Sequence, residues 1–98
     1  MTRSVEVALK SAGHGKLVRA CVVVEGERAA AVTFTGDFFL EPPELLEELG
    51  QAMCGATAVD APERAREFLA RQSHALLVGA VPEDFGRVVV EALRRGGR

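Results

Sequence analysis

The sequence predicts an α+β fold: a three-stranded antiparallel meander followed by about three helices packed on one sheet face. Three observations carry that prediction. Apolar and polar residues alternate from Ser4 to Lys10, two longer apolar runs follow with Gly26 between them, and beyond Pro42 the apolar residues recur at helical spacing. Strands grouped ahead of helices bury their apolar faces by placing the helices over the sheet. With 98 residues the chain forms one domain, spanning residues 1–98.

In the first strand Val5, Val7 and Leu9 face one side, and Ser4, Glu6 and Lys10 the other. Ser11 to Gly15 is a loop, with Gly13 and Gly15 flanking His14. The second strand runs from Leu17 to Glu25, and the third from Arg28 or Ala29 to Thr35. With Arg19 outward, Val18, Ala20, Val22 and Val24 face the core. With Thr33 and Thr35 outward, so do Val32 and Phe34. A two-residue loop at Gly26-Glu27 would set these groups on opposite faces, because a one-residue slip turns every side chain over. A three-residue loop, Gly26 to Arg28, pairs Val24 with Ala30, Val22 with Val32 and Ala20 with Phe34, and is the expected connection.

Pro42-Pro43 suits a first helical turn, and Glu41, Glu44 and Glu47 favour its positive end. Leu45, Leu46, Leu49, Ala52 and Met53 make its apolar stripe, and Gly55 ends it. In the second helix Asp60 and Glu63 resemble a capping box, with Pro62 in the first turn. Ala65, Phe68 and Leu69 are its narrow apolar face. His74 to Val81 is open between a helical extension and a short extended segment. Pro82 opens the last helix, in which Phe85, Val88, Val89, Ala92 and Leu93 share a face; Gly96-Gly97 ends it after Arg94 and Arg95.

There is no Trp or Tyr, so the bulky core filling falls on five Phe. The net charge of −2 is spread along the chain, which argues against a nucleic-acid or anionic-membrane surface. No N-terminal apolar region has signal-peptide length and no run approaches membrane-spanning length, so a cytoplasmic protein is expected. In that compartment Cys21 and Cys54 are thiols.

Gly13-His14-Gly15-Lys16 invites comparison with a phosphate loop, but the motif would need glycine where Lys10 stands and Ser or Thr where Leu17 stands. It also joins two strands and opens no helix to receive an anion. The two Cys and two His match no metal-ligand spacing. No bound metal or cluster is expected. Cys21, among valines, is expected to be a buried small hydrophobe that reacts slowly. In Gly36-Asp37-Phe38-Phe39 adjacent aromatics at a strand end point to opposite faces, so one fills the core while the other has another role. On these residues alone an Asx-type turn with aromatic anchors is the stronger reading, and an aromatic and acidic contact patch the weaker.

Gly15-Lys16-Leu17-Val18-Arg19, followed by Gly36-Asp37-Phe38-Phe39-Leu40 and Pro42, resembles the C-terminal accessory domain of lipoate–protein ligases, particularly the form encoded as a separate small subunit. The resemblance covers roughly the whole chain and includes Gly79-x-Val81-Pro82-Glu83-Asp84-Phe85 at the opening of the last helix. One departure is visible: relatives often read Gly-Gly-Lys-Leu where this chain has Gly-His-Gly-Lys. The resemblance implies an α+β fold similar to the sulfur-transfer and iron–sulfur scaffold proteins of the SufE and IscU type. It implies a non-catalytic subunit of an ATP-dependent ligase, needed by a catalytic partner to activate lipoate to lipoyl-adenylate for transfer to lipoyl carrier domains. Lipoate and ATP would be used by the partner complex, with no cofactor bound by this chain. An iron–sulfur or sulfur-transfer scaffold is the alternative. The expected register sets Val18 opposite Gly36, so both boxes meet at one end of the sheet. Gly13, His14, Gly15, Lys16, Arg19, Gly36, Asp37, Phe38 and Phe39 are therefore the candidate patch facing the partner and its adenylate.

Overall fold

Alternating apolar residues build the meander as expected. In the computed structural model, which describes residues 2–12 and 15–96, β1 (Thr2–Lys10), β2 (Leu17–Glu25) and β3 (Arg28–Gly36) form an antiparallel sheet in that order. Val7, Val18, Ala20, Val22, Val24, Ala29, Val32 and Phe34 are buried on its inner face. Thr33 and Thr35 are exposed on the outer one.

The hairpin between β2 and β3 differs from expectation in one respect. Ala20 pairs with Phe34 and Val22 with Val32, as the core requires, but Val24 pairs with Ala29 and Glu25 with Arg28. The loop is therefore Gly26-Glu27, and Ala30 is a bulged residue opposite the Val23–Val24 step. Ala30 and Ala31 are both exposed between buried Ala29 and Val32. The extra residue lets a short turn coexist with an inward-facing register.

A second, two-stranded ribbon joins β4 (Phe39–Glu41) to β5 (Leu76–Val78) antiparallel, with Phe39 opposite Val78, Leu40 opposite Leu77 and Glu41 opposite Leu76. The open stretch after His74 thus takes the extended alternative. β4 is an element the periodicity does not announce, being three residues long.

Helix α1 (Glu44–Ala52) buries Leu45 and Leu49 and packs on β3. Helix α3 (Pro82–Gly96) lies across β1 and β2, with Phe85, Val88, Val89, Ala92 and Leu93 inward. Helix α2 (Ala61–Ala70) packs on α3 and α1. It comes so close to α3 that a Cβ on Gly86 would sit 2.6 Å from Pro62 Cα. The expected Asp60–Glu63 box does not form. Asp60 turns back instead to accept from the Thr57 amide at 2.8 Å, while Thr57 Oγ1 accepts from the Asp60 amide at 3.3 Å. The reciprocal pair is thus Thr57 with Asp60, three residues upstream of the pair that sequence favours. Glu63 pairs with Arg66.

Phe85 is the centre of the core. Its ring meets Phe34 edge-on at 5.2 Å and Phe38 edge-on at 5.1 Å. Among the described residues no helix is long and apolar enough to cross a membrane.

Candidate functional site

The two boxes meet at one sheet end. Val18 pairs with Gly36, and the Asp37 amide donates to the Leu17 carbonyl at 2.9 Å. Gly36 has φ +154°, and a Cβ there would strike that same carbonyl, so the close reversal requires glycine. Lys16, Asp37 and Phe38 gather around Gly79 (φ +89°): a Cβ on Gly79 would lie 3.4 Å from Phe38 Cα and 3.5 Å from Lys16 Cγ. The pieces that carry the resemblance, distant in sequence, thus form one surface.

Within that surface the residues divide. Lys16 and Asp37 are exposed, and the ion pairs among the described residues do not join them. Phe38 is half-buried against Phe85, whereas Phe39 is 52% exposed. Gly15 (φ +73°) donates its amide to the Ser11 carbonyl at 3.2 Å, and the Ser11 amide donates to the Lys16 carbonyl at 2.6 Å, closing the loop at its base. Arg19 does not join the patch. It lies on the outer sheet face, 3.9 Å from Glu6. Gly13 and His14 fall outside the described residues.

Three features escaped the sequence reading. First, the β4–β5 register puts Phe39 and Val78 side by side, with Leu76 two residues along the same face, and all three are exposed. An apolar run of LLV gave no sign of which leucine faces out.

Second, Asp84 is fully buried in the first turn of α3. It accepts from Ser11 Oγ, from the Val81 amide at 2.9 Å, from the Ala12 amide at 3.2 Å and from Arg87 at 3.0 Å. Arg87 also donates to the Lys10 carbonyl at 2.8 Å. Burial opposes ionisation, but the hydrogen bonds from Ser11, Val81, Arg87 and Ala12 outweigh it and hold the carboxyl below its ordinary value. Asp84 therefore fixes the base of the Lys16 loop to α3. An acidic residue after Pro82 reads locally as dipole compensation, and nothing local names Ser11 as its partner.

Third, a groove of about 740 Å³ opens between the ribbon and α2, walled by Leu40, Leu69, Leu77 and Ala80, with Lys16 and Arg66 along it.

The expectation for Cys21 is overturned: it is exposed. Strict alternation along β2, with Ala20 and Val22 inward, puts the residue between them on the outer face, so valine neighbours in sequence do not cover it. Cys54 is also exposed, beyond the end of α1, with Sγ 3.8 Å from the Gly50 carbonyl. Both thiols are expected to react with a disulfide-exchange reagent in native buffer, giving two equivalents, and Cys21→Ala one. A single native equivalent in the unmodified protein would contradict the exposed placement. Among the described residues no three His, Cys, Asp or Glu side chains converge as a metal site.

No family model matches the chain, and no curated protein matches it. The fold is similar to that of a solved chain from an archaeal lipoylation system of Thermoplasma acidophilum, described as a bipartite lipoate protein ligase and its E2 lipoyl domain. The TM-score is 0.76 and the identity 22%, over 91% of this chain and 97% of that one. The α+β architecture is thus shared over most of both chains.

Proposed function

We propose that this chain is the non-catalytic accessory subunit of a two-component lipoate–protein ligase, needed by a catalytic partner to activate lipoate to lipoyl-adenylate. The observation that carries the proposal is the meeting of the Gly15–Arg19 and Gly36–Leu40 boxes around Gly79 at one sheet end. The likeness of fold, over 91% of this chain, to a chain from a bipartite ligase system supports it. In this reading Lys16, held above Gly79 with no ion pair among the described residues, offers a point charge to the partner's adenylate or to an acidic partner residue. Phe39, with Val78 and Leu76 beside it, is the apolar anchor. The partner holds lipoate and ATP, and carrier domains receive the lipoyl group from the complex.

The test is pyrophosphate release with lipoate and ATP. Neither protein alone should turn over, and the mixture should. The mass of this chain should stay unchanged, since the acceptor lysine belongs to the carrier. Phe39→Ala should raise the concentration for half-maximal activation about 30-fold, the equivalent of about 2 kcal/mol for an interface anchor. Lys16→Ala should raise it by about fivefold. Turnover by this chain alone, lipoylation of Lys10 or Lys16, or no effect on the partner would sink the proposal. Wild-type behaviour of both variants would remove the patch assignment.

A further inference from the structure

We infer that the groove between the β4–β5 ribbon and α2 binds an aliphatic carboxylate, its chain along the apolar walls and its anionic head at Lys16. This concerns the isolated chain and does not require the ligase reading.

Charge and chemistry of the lining select that ligand. Lys16 and Arg66 are its ionic side chains, and no carboxylate lines it among the described residues. Arg66 is already paired with Glu63 outside the groove, which leaves Lys16, without an ion pair among the described residues, to meet an anion. The stem of Lys16 lies beside Gly79, its Cγ 3.5 Å from where a Cβ on that residue would sit. The walls are Leu40 and Leu77, which form the inward pair of the ribbon, with Leu69 and Ala80 opposite. The neutral polar side chain in the lining is Gln72, and its Nε2 already donates to the Phe68 carbonyl at 3.1 Å. A sugar would find few side-chain partners here, and neither would a peptide. A methylene chain needs none, and loses nothing by leaving water. At about 740 Å³ the space falls within the range usual for small-molecule sites.

Calorimetric titration of the full chain with hexanoate, octanoate and decanoate, each below its micelle concentration, tests the inference. The Kd should fall about two- to fourfold for each added methylene, as expected for burial in a half-open groove. Octylamine, with the same chain and the opposite charge, should give no saturable binding. Lys16→Ala should weaken octanoate about five- to tenfold and leave the dependence on chain length intact. Ala70→Phe fills the groove from an exposed position at the end of α2, so the fold should tolerate it; it should weaken octanoate at least tenfold. Methyl NMR shifts should centre on Leu40, Leu69 and Leu77. Equal binding of octanoate and octylamine overturns the inference, as does octanoate affinity untouched by Ala70→Phe. So does saturation of the groove by an acidic, leucine-containing peptide when octanoate fails to bind, which would make it a protein-docking groove. If octanoate binds but the chain has no effect on pyrophosphate release by a catalytic partner, the groove stands and the ligase reading falls. If octanoate fails to bind while the mixture turns over, the reverse holds.

Discussion

Phe85→Ala is expected to cost about 4 kcal/mol of folding stability, within the usual range for an aromatic removed from a core. A domain of this size has roughly 5–15 kcal/mol in total, so the variant should lose a large share of its margin. Phe85 is fully buried and holds two edge-on aromatic contacts, to Phe34 on β3 and to Phe38 in the turn beyond it. Its loss opens a cavity at the junction of sheet, turn and helix. The surrounding backbone cannot collapse into it, because α3 is pinned on one side by the sheet and on the other by the close Gly86–Pro62 contact. The control is Phe39→Ala, which removes an equal ring that is 52% exposed and should cost under about 1 kcal/mol. Urea unfolding of both variants measures the difference. The Asp37 amide, which donates to the Leu17 carbonyl, should also exchange faster in Phe85→Ala, because Phe38 loses its support. Equal destabilisation by the two substitutions would contradict the placement of Phe85 at the centre.

The strands and long helices were legible because each is a run with one dominant period. Val18 to Val24 alternate, and Phe85 to Leu93 recur at helical spacing. What escaped reading was decided across the fold. The β2–β3 loop presented a choice between turn length and register, and the bulge at Ala30 satisfies both. Asp60 sits three residues after Thr57 and three before Glu63, so two capping pairs compete for it, and the chain takes the upstream one. β4 and β5 are three residues each and find one another from opposite sides of α1 and α2, so neither carries a usable period alone. Cys21 is different: the alternation that turns Ala20 and Val22 inward also places it outward, whatever its valine neighbours suggest.

The candidate site was half legible by the same logic. The register alone brings Lys16 to Asp37 and Phe38, since Val18 opposite Gly36 follows from the core-facing residues. It cannot reveal Leu76 and Val78 beside Phe39, or the groove behind them, because both depend on where the ribbon lands. Arg19 is close to Lys16 in sequence. Strand geometry turns it to the outer face, where Glu6 meets it. The resulting surface has two sides, an exposed apolar face on the ribbon and a cation-bearing groove beneath it.

Asp84→Ala is expected to cost about 3 kcal/mol, the scale of removing one partner from a buried, charge-assisted network. The substitution strands Ser11, which is 4% exposed, and leaves the Ala12 and Val81 amides without the carboxylate that accepts from them. Arg87 loses its anionic partner but keeps the Lys10 carbonyl. Asp84→Asn preserves the shape and removes the charge, so it isolates the electrostatic part. Because the folded-state carboxyl titrates below its ordinary value of 3.8, its contribution is fully present above that value. It disappears as pH falls through the lower, folded-state value, where the unfolded chain binds the proton first. Wild-type stability should therefore decline across the acid range more steeply than that of Asp84→Asn, and the gap between the two should close at the acid end. Other carboxylates titrate in the same window, but they are common to both proteins and drop out of the difference. At neutral pH the loss should appear first at the Lys16 loop, as faster exchange of the Gly15 amide that donates to the Ser11 carbonyl. A stability gap that stays constant from neutral to strongly acid pH would mean that the carboxylate's charge contributes nothing there, and that Asp84 serves the loop through its shape alone.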